Sequence, residues 1–125
     1  MQDYHQLDVW QRAMSYTVRI YEFSAQLPDA ERYNLTIQLR KAATSVPLNI
    51  AEGAACASTG EFARFLGYAY RSLKEVVTGL ELCERLYPGL PAPPMTALID
   101  EGNQISRMTR TLMQRLGTSA ESHPS

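Results

Sequence analysis

Apolar residues recur at helical spacing through four segments of the chain, and this periodicity constrains the fold more than any other feature. The pattern predicts helices over about residues 8–27, 31–54, 58–86 and 95–117. No segment shows the alternation with period two that is typical of a half-buried strand. Because four helices joined by short connections favour antiparallel neighbours, the sequence predicts an all-α, up-down antiparallel four-helix bundle.

Turn and cap residues support these boundaries. Pro28 follows the first segment, and the stretch YPGLPAPP predicts a rigid loop between the third and the fourth. Ser58, with Glu61 three residues on, is typical of a capping box at the start of a helix. Gly117 is expected to end the fourth helix, which predicts a bundle domain over residues 1–117 and a flexible polar tail over 118–125.

Residues that share a helical face predict the core. On the first helix the predicted stripe contains Trp10, Ala13, Met14, Thr17, Tyr21 and Ser24. On the second helix it contains Leu35, Leu39, Ala42, Ala43, Val46, Ile50 and Gly53.

The stretch SVPLNIAEG places a proline and several polar residues inside the second helix. Pro47 has no N–H, so it leaves the carbonyl of Ala43 without a helical partner and is expected to kink the helix. A polar ladder along one flank is expected to satisfy the freed backbone groups, and its members are Gln38, Ser45, Asn49 and Glu52. Gly53 either permits close approach of a neighbouring helix or ends its own helix with a left-handed turn.

The second helix also carries a weakly apolar stripe opposite its core face. This stripe contains Ile37, Thr44, Leu48, Ala51 and Ala55. Tyr16 and Phe23 similarly widen the apolar face of the first helix. A helix that is apolar on two sides favours an oligomer interface, and scattered exposed apolar residues of an ordinary monomer are the alternative.

Charge and motif content narrow the classes of function. The formal net charge is −1 from 12 basic and 13 acidic residues, so the chain as a whole does not attract phosphate backbones. Cys56 and Cys83 fit no metal-ligand spacing, and His5 and His123 form no ligand pair. No phosphate-binding glycine loop or nucleophile motif is present, and no run approaches the roughly 20 apolar residues of a membrane span. The sequence therefore predicts a cytoplasmic, non-enzymatic protein without metal, cofactor or membrane contact.

One helix face offers a candidate nucleic-acid contact. Four basic residues lie within one sector of the third helix, namely Arg64, Arg71, Lys74 and Arg85. Glu61 and Glu75 share that side, so a solvated face of mixed charge is the alternative. A second basic patch, of unknown geometry, is expected from Arg12, Arg19, Arg40 and Lys41.

The segments LDVWQRAMSY, LPDAERYNLTIQLRKAATSVPLNIAEG and EFARFLGYAYRSLKEVVTGLEL resemble the four-helix bundle protein family whose first members are encoded by intervening sequences in bacterial 23S ribosomal RNA genes. The resemblance implies a cytosolic bacterial bundle that forms a homo-oligomer, commonly a pentamer, with no enzymatic activity assigned. Its signature falls on Gln38, Arg40, Ala42, Ser45, Val46, Pro47, Asn49, Ile50, Ala51, Glu52 and Gly53, where the family provides no assigned roles.

The fold is also similar to that of the accessory variability proteins of diversity-generating retroelements, pentamers that bind a reverse transcriptase and nucleic acid through a strongly basic surface. This chain departs from that pattern in its near-neutral charge.

Three hypotheses of function follow. The leading one is a non-enzymatic, homo-oligomeric scaffold that binds another macromolecule, with a protein as the favoured partner. The alternative is a nucleic-acid accessory protein that uses the basic stripe of the third helix. An enzyme with a polar site at Asn49 and Glu52 is the third and least favoured.

Overall fold

The computed structural model of the protein describes residues 3–121, with side chains described through Gly117. Four α-helices account for most of these residues: α1 (Asp8–Ser24), α2 (Leu35–Ala54), α3 (Thr59–Leu86) and α4 (Ala92–Glu121). Short 3-10 turns at Tyr4–Gln6 and Asp29–Glu31 precede α1 and α2. The described part of the chain contains no strand.

The helices pack as a four-helix bundle, which confirms the predicted fold class. α1 contacts α2 and α4, and α3 contacts the same two helices, so consecutive helices are neighbours and the first closes against the last. Connections of a few residues at 55–58 and 87–91 leave the chain room only to turn back on itself.

Sequence signals at the helix ends predicted one boundary correctly and another incorrectly. Ser58 caps α3, as predicted, because its hydroxyl accepts the backbone N–H of Glu61 at 3.1 Å. Among the described residues the carboxylate of Glu61 bonds to Arg64 and not to the backbone of Ser58, so one half of the predicted capping box forms. α4 continues through Gly117 to Glu121, so the predicted end at Gly117 is wrong. A glycine inside a helix costs about 1 kcal/mol, which lowers helix stability without forcing an end. The flexible tail over 118–125 stays a prediction, and its last residues, 122–125, lie outside the described range.

The core face of α2 is the predicted one, since all seven residues of its stripe are buried. α1 is rotated relative to the prediction. Its buried residues are Val9, Ala13, Tyr16, Ile20, Phe23 and Ser24, whereas Met14 and Tyr21 lie largely in solvent. Two stripes of α1 satisfy the helical period equally well, and only packing against the other helices selects between them.

Tyr16 is the largest side chain among those almost fully buried, and α4 is shaped to receive it. Its hydroxyl donates to the carbonyl of Leu98 at 2.8 Å. A Cβ on Gly102 would lie 2.5 Å from that hydroxyl oxygen and 2.7 Å from Cγ2 of Val77, so only glycine fits beside the ring. Burial raises the pKa of Tyr16 well above its usual range, which keeps the phenol protonated as a donor.

α2 is helical through Pro47, which is buried. The kink at Pro47 stays a prediction. In the described residues, none of the four helices is apolar enough over a sufficient length to cross a membrane.

Candidate interaction surfaces

Where α2 faces α1, a hydroxyl on α1 donates a hydrogen bond to the carbonyl that Pro47 leaves unpaired. The hydroxyl of Thr17 lies 2.8 Å from the carbonyl of Ala13 and 3.1 Å from the carbonyl of Ala43, which is the group that Pro47 leaves without a helical donor. One hydroxyl proton therefore serves two carbonyls, one on each helix. The compensation comes from α1 and not from the polar ladder predicted on α2.

Arg40 forms a second contact between α2 and α1, about one helical turn from Ala43. Its Nε donates to the hydroxyl of Ser24 at 2.8 Å, and its guanidinium lies 4.7 Å from the ring centroid of Tyr21. A second guanidinium nitrogen donates at 3.3 Å to the Tyr21 carbonyl, which also accepts the N–H of Ala25 and the hydroxyl of Ser24, so Arg40 contacts the C-terminal turn of α1. Arg40 is consequently a structural contact between two helices and not part of a free basic patch.

Two small residues, Gly53 and Ser45, lie on the flank of α2 that faces α3. A Cβ on Gly53 would lie 2.8 Å from Cβ of Phe65 and 3.2 Å from the carbonyl oxygen of Phe62. No residue in the described part of the chain has a positive φ, so Gly53 serves close helix approach and not a left-handed turn. Ser45 donates to the carbonyl of Ala42 at 2.8 Å and also bonds to the hydroxyl of Ser72 on α3.

The four residues of the predicted ladder do not form one network. Asn49 donates to the carbonyl of Ser45 at 2.7 Å, which joins two of them. Gln38 instead donates to the side chain of Asn34 at 3.1 Å, at the start of the helix. Glu52 is exposed to solvent. The amide of Asn49 thus has a structural role, and among the described residues the Glu52 carboxylate forms no hydrogen bond or ion pair with another side chain.

The outward sides of α1 and α2 form an exposed apolar surface, which we call the α1–α2 face. It contains Met14, Val18 and Tyr21 of α1 with Ile37 and Leu48 of α2. Leu48 is 67% exposed and Val18 is 56% exposed. A single exposed apolar side chain is ordinary, and the informative observation is that several lie on the outward sides of two adjacent helices. Of the predicted outer stripe of α2, Ile37, Leu48 and Ala55 are exposed, whereas Thr44 and Ala51 are half-buried. The contribution expected from Tyr16 and Phe23 is wrong, because both lie in the core.

The outward side of α3 carries the predicted basic stripe. Arg64, Arg71, Lys74 and Arg85 are all exposed on this helix. Arg64 pairs with Glu61 at 3.1 Å, as expected for a face of mixed charge. Aromatic rings lie between the cations: the guanidinium groups of Arg64 and Arg71 are each 6.0 Å from the ring centroid of Tyr68. The ring quadrupole attracts cations placed over the aromatic face.

Arg12 and Arg19 do not join Arg40 in a second basic patch. Both turn toward α4, where Arg19 forms an ion pair with Glu101 and Arg12 lies 3.9 Å from the same carboxylate. Arg12 also donates to the side-chain oxygen of Gln104 at 2.9 Å. These arginines tie α1 to α4.

A groove lies between the start of α1 and the second half of α4, with a volume of about 630 Å³. Its lining includes Arg12, Arg107 and Arg115 with the apolar side chains of Leu7, Val9, Met108 and Leu112. The sequence predicted no site here. The run from Gly102 to Gly117 contains three arginines and no acidic residue, and this local charge bias is the one signal that marks it.

The two thiols differ in environment. Cys83 is fully buried, and burial together with the charge of Glu31 raises its pKa from 9.0 to about 11. Cys56 is half-exposed, with its thiol donating to the carbonyl of Glu52. Among the described residues there is no group of three or more potential His, Cys, Asp or Glu metal ligands.

Comparison with known proteins agrees with this architecture. The pattern of the family described as 23S rRNA-intervening sequence protein matches residues 5–111 of the chain. The chain is also similar to a crystal structure of a protein with unknown function from the S23 ribosomal protein family of Bacteroides thetaiotaomicron VPI-5482, with a TM-score of 0.74 and 20% sequence identity. This likeness covers 84% of the present chain and 97% of the other, and at such identity it shows a common fold alone. No curated protein matches the sequence.

Proposed function

The chain belongs to the 23S rRNA-intervening sequence protein family, and on that premise we propose that it is a non-enzymatic scaffold that assembles from several copies of itself and binds another macromolecule, with a protein as the favoured partner. The observation that carries this proposal is the exposed α1–α2 face. Two stripes of large apolar side chains run along the outward sides of two adjacent helices, and a surface of this kind is typical of an interface.

Hydrogen bonds between α1 and α2 hold the α1–α2 face in one shape, which favours a rigid interface. Thr17, Arg40 and Ser24 hold α1 and α2 together by hydrogen bonds directly under the apolar side chains. A second copy would therefore bind a preformed surface and lose little conformational entropy on docking. A pentamer, which the family resemblance implies, requires two different surfaces per chain because a ring is closed by heterologous contacts.

The experiment is a mass measurement by light scattering on the variant Val18→Glu/Leu48→Glu. Two buried carboxylates at the interface would be costly, so the assembly is expected to dissociate to the 14.0 kDa chain. The matched control is Ser15→Glu/Gln38→Glu, which adds the same charges at exposed polar positions of the same helices and is expected to keep the parent mass. A parent protein that is monomeric at micromolar concentration would contradict the proposal.

A second candidate function has its own observation, the cation–aromatic arrangement on α3. Lys74 lies 5.3 Å and Arg110 of α4 lies 6.0 Å from the ring centroid of Tyr70, which repeats the pattern seen at Tyr68. Rings that stack on bases, flanked by cations that contact phosphates, are typical of single-strand nucleic-acid binding. An accessory role with RNA is the corresponding proposal.

This alternative is tested by fluorescence anisotropy with a structured RNA and a single-stranded oligonucleotide. Replacing Arg64, Arg71 and Lys74 by Glu is expected to abolish binding, and binding by the parent should weaken steeply with salt. Binding that survives the triple substitution would exclude this face. An absence of binding at low salt would leave the scaffold proposal alone.

A further inference from the structure

The groove between α1 and α4 has a polar rim and an apolar floor. Arg107, Thr111 and Arg115 recur at intervals of four residues, so they form a row about 12 Å long on one side of α4. Arg12 contributes a third guanidinium from α1. Between them, Met108 and Leu112 are half-buried and pack against the core while still facing the groove.

The rim is cationic. Three guanidinium groups and the carboxylate of Asp8 line the groove, and Arg12 also lies 3.9 Å from the carboxylate of Glu101. The ion pairs formed among the described residues include neither Arg107 nor Arg115, and both side chains are exposed. Arg12 is held in place by the oxygen of Gln104 at 2.9 Å and by the sulfur of Met108 at 3.6 Å. The rim thus contains one fixed guanidinium and two that are available to a ligand.

The apolar side chains on the floor of the groove favour an acidic peptide over a phosphodiester backbone as the anionic ligand. A phosphodiester backbone gains nothing from contact with leucine, valine and methionine side chains, whereas the apolar stripe of an amphipathic helix does. The groove runs parallel to α4 over two helical turns, which is the geometry in which a further helix lays its ridge of side chains between two packed helices.

The geometry points to the α1–α4 groove as a docking site for an acidic amphipathic helix of a partner protein. Apolar residues of that helix, at intervals of three and four, would cover Val9, Met108 and Leu112. Glu or Asp residues on its flanks would bind Arg107 and Arg115, and charge-assisted bidentate bonds between carboxylate and guanidinium would fix its orientation.

This inference rests on the proposed function as a scaffold for a protein partner, and it names the surface and the chemistry of that partner. The docking groove lies on α1 and α4, away from the outward sides of α1 and α2 that are proposed for self-assembly. Each surface can therefore be altered while the other is left intact.

The test uses the 125-residue chain and a fluorescein-labelled helical peptide with leucines at i, i+3, i+4 and i+7 and glutamates on both flanks. A companion peptide has the same leucines with lysine in place of every glutamate. Fluorescence anisotropy is expected to show saturable binding of the acidic peptide alone. Arg107→Glu/Arg115→Glu should weaken that binding by at least about tenfold, because it replaces attraction at the rim by repulsion.

Controls separate the groove from general attraction between opposite charges. Arg64→Glu/Arg71→Glu makes the same change in net charge on α3 and should leave the affinity for the acidic peptide within about twofold of the parent. The charge-reversed groove variant should in turn bind the lysine peptide better than the parent does. All variants must keep the parent circular dichroism spectrum.

Equal weakening by both double variants, or unchanged binding by Arg107→Glu/Arg115→Glu, would overturn the inference. Preferential binding of a single-stranded oligonucleotide at the groove arginines would also overturn it, in favour of nucleic acid. Light scattering on the same samples reports assembly independently. A monomer that binds the acidic peptide would refute the scaffold assembly but keep the groove, and an oligomer that ignores the peptide would do the reverse.

Discussion

The two flanks of α2 bring neighbouring helices together in different ways. Toward α1, Thr17 and Arg40 form hydrogen bonds that span the seam and satisfy backbone carbonyls. Toward α3, Gly53 removes a side chain so that Phe62 and Phe65 can approach the backbone. We call the contact between α2 and α1 the polar seam, and we expect the removal of hydrogen-bonding atoms to destabilise it. We call the contact between α2 and α3 at Gly53 the tight seam, and we expect added atoms to destabilise it. One short signature stretch can therefore specify both neighbours of a helix.

The largest effect is expected where the tight seam is overfilled. Gly53→Ala would place a methyl group 2.8 Å from Cβ of Phe65 and 3.2 Å from a backbone oxygen of Phe62, neither of which can move without shifting α3. We expect the free energy of unfolding, measured by urea denaturation, to fall by about 1–3 kcal/mol. Gly60→Ala is the matched control, since a Cβ there meets no atom within 4 Å. A stable Gly53→Ala protein would show that the seam is not tightly packed.

Removal of one hydroxyl should weaken the polar seam by a smaller amount. Thr17→Val keeps the shape of the side chain but leaves the Ala43 carbonyl without the donor that lies 3.1 Å away. The expected cost is about 1 kcal/mol in the free energy of unfolding.

A double-mutant cycle with Pro47→Ala sharpens this prediction. Alanine at position 47 restores the backbone N–H that bonds to the Ala43 carbonyl in a regular helix, so Thr17→Val should cost less in that background. Equal costs in both backgrounds would mean that Thr17 does not serve the carbonyl that Pro47 leaves free.

A still smaller loss of unfolding free energy is expected when the side-chain hydrogen bond between α2 and α3 is removed. Ser72→Ala removes the partner of the Ser45 hydroxyl, which retains its bond to the Ala42 carbonyl. The expected loss is about 0.5 kcal/mol, measured by urea denaturation against the exposed control Ser15→Ala. A loss as large as that of Thr17→Val would remove the contrast between the two flanks.

An effect that is confined to alkaline pH is expected at the far end of α3. The pKa of Cys83 is raised in the folded protein to about 11, so the unfolded chain loses this proton first as pH rises from about 9. The folded state then binds more protons, and stability falls between about pH 9 and about pH 11. The pKa of Tyr87 is also raised, by its hydrogen bond to the Glu31 carboxylate, and acts in the same direction. Denaturation at both ends of this window should show the fall, and Cys83→Ala should make it shallower.

Sequence patterns were most informative where a single local rule applied. The stripe of α2 had one strong apolar face, and all seven of its residues are buried. Ser58 and Glu61 lie in the same turn, so their capping contact depends only on adjacent residues. On α1 the pattern allowed two faces, and the prediction selected Met14 and Tyr21 where the structure buries Tyr16 and Phe23.

The candidate surfaces show the same division. Exposure of Leu48 and Ile37 followed from their position opposite the α2 core, and the basic stripe of α3 followed from helical spacing. The groove at Arg107 and Arg115 did not, because its other wall comes from α1 at the opposite end of the chain.

Local sequence patterns were sufficient to predict four helices, their short connections, the buried side of α2 and the unpaired carbonyl that Pro47 leaves at Ala43. Helical periodicity and capping act over a few residues, so both can be recognised in the sequence. Packing between distant segments set the rotation of α1, brought the hydroxyl of Thr17 to the carbonyl of Ala43 and placed three arginines in one groove. Those outcomes depend on contacts between residues far apart in sequence, and they are settled by how four apolar faces pack together at once.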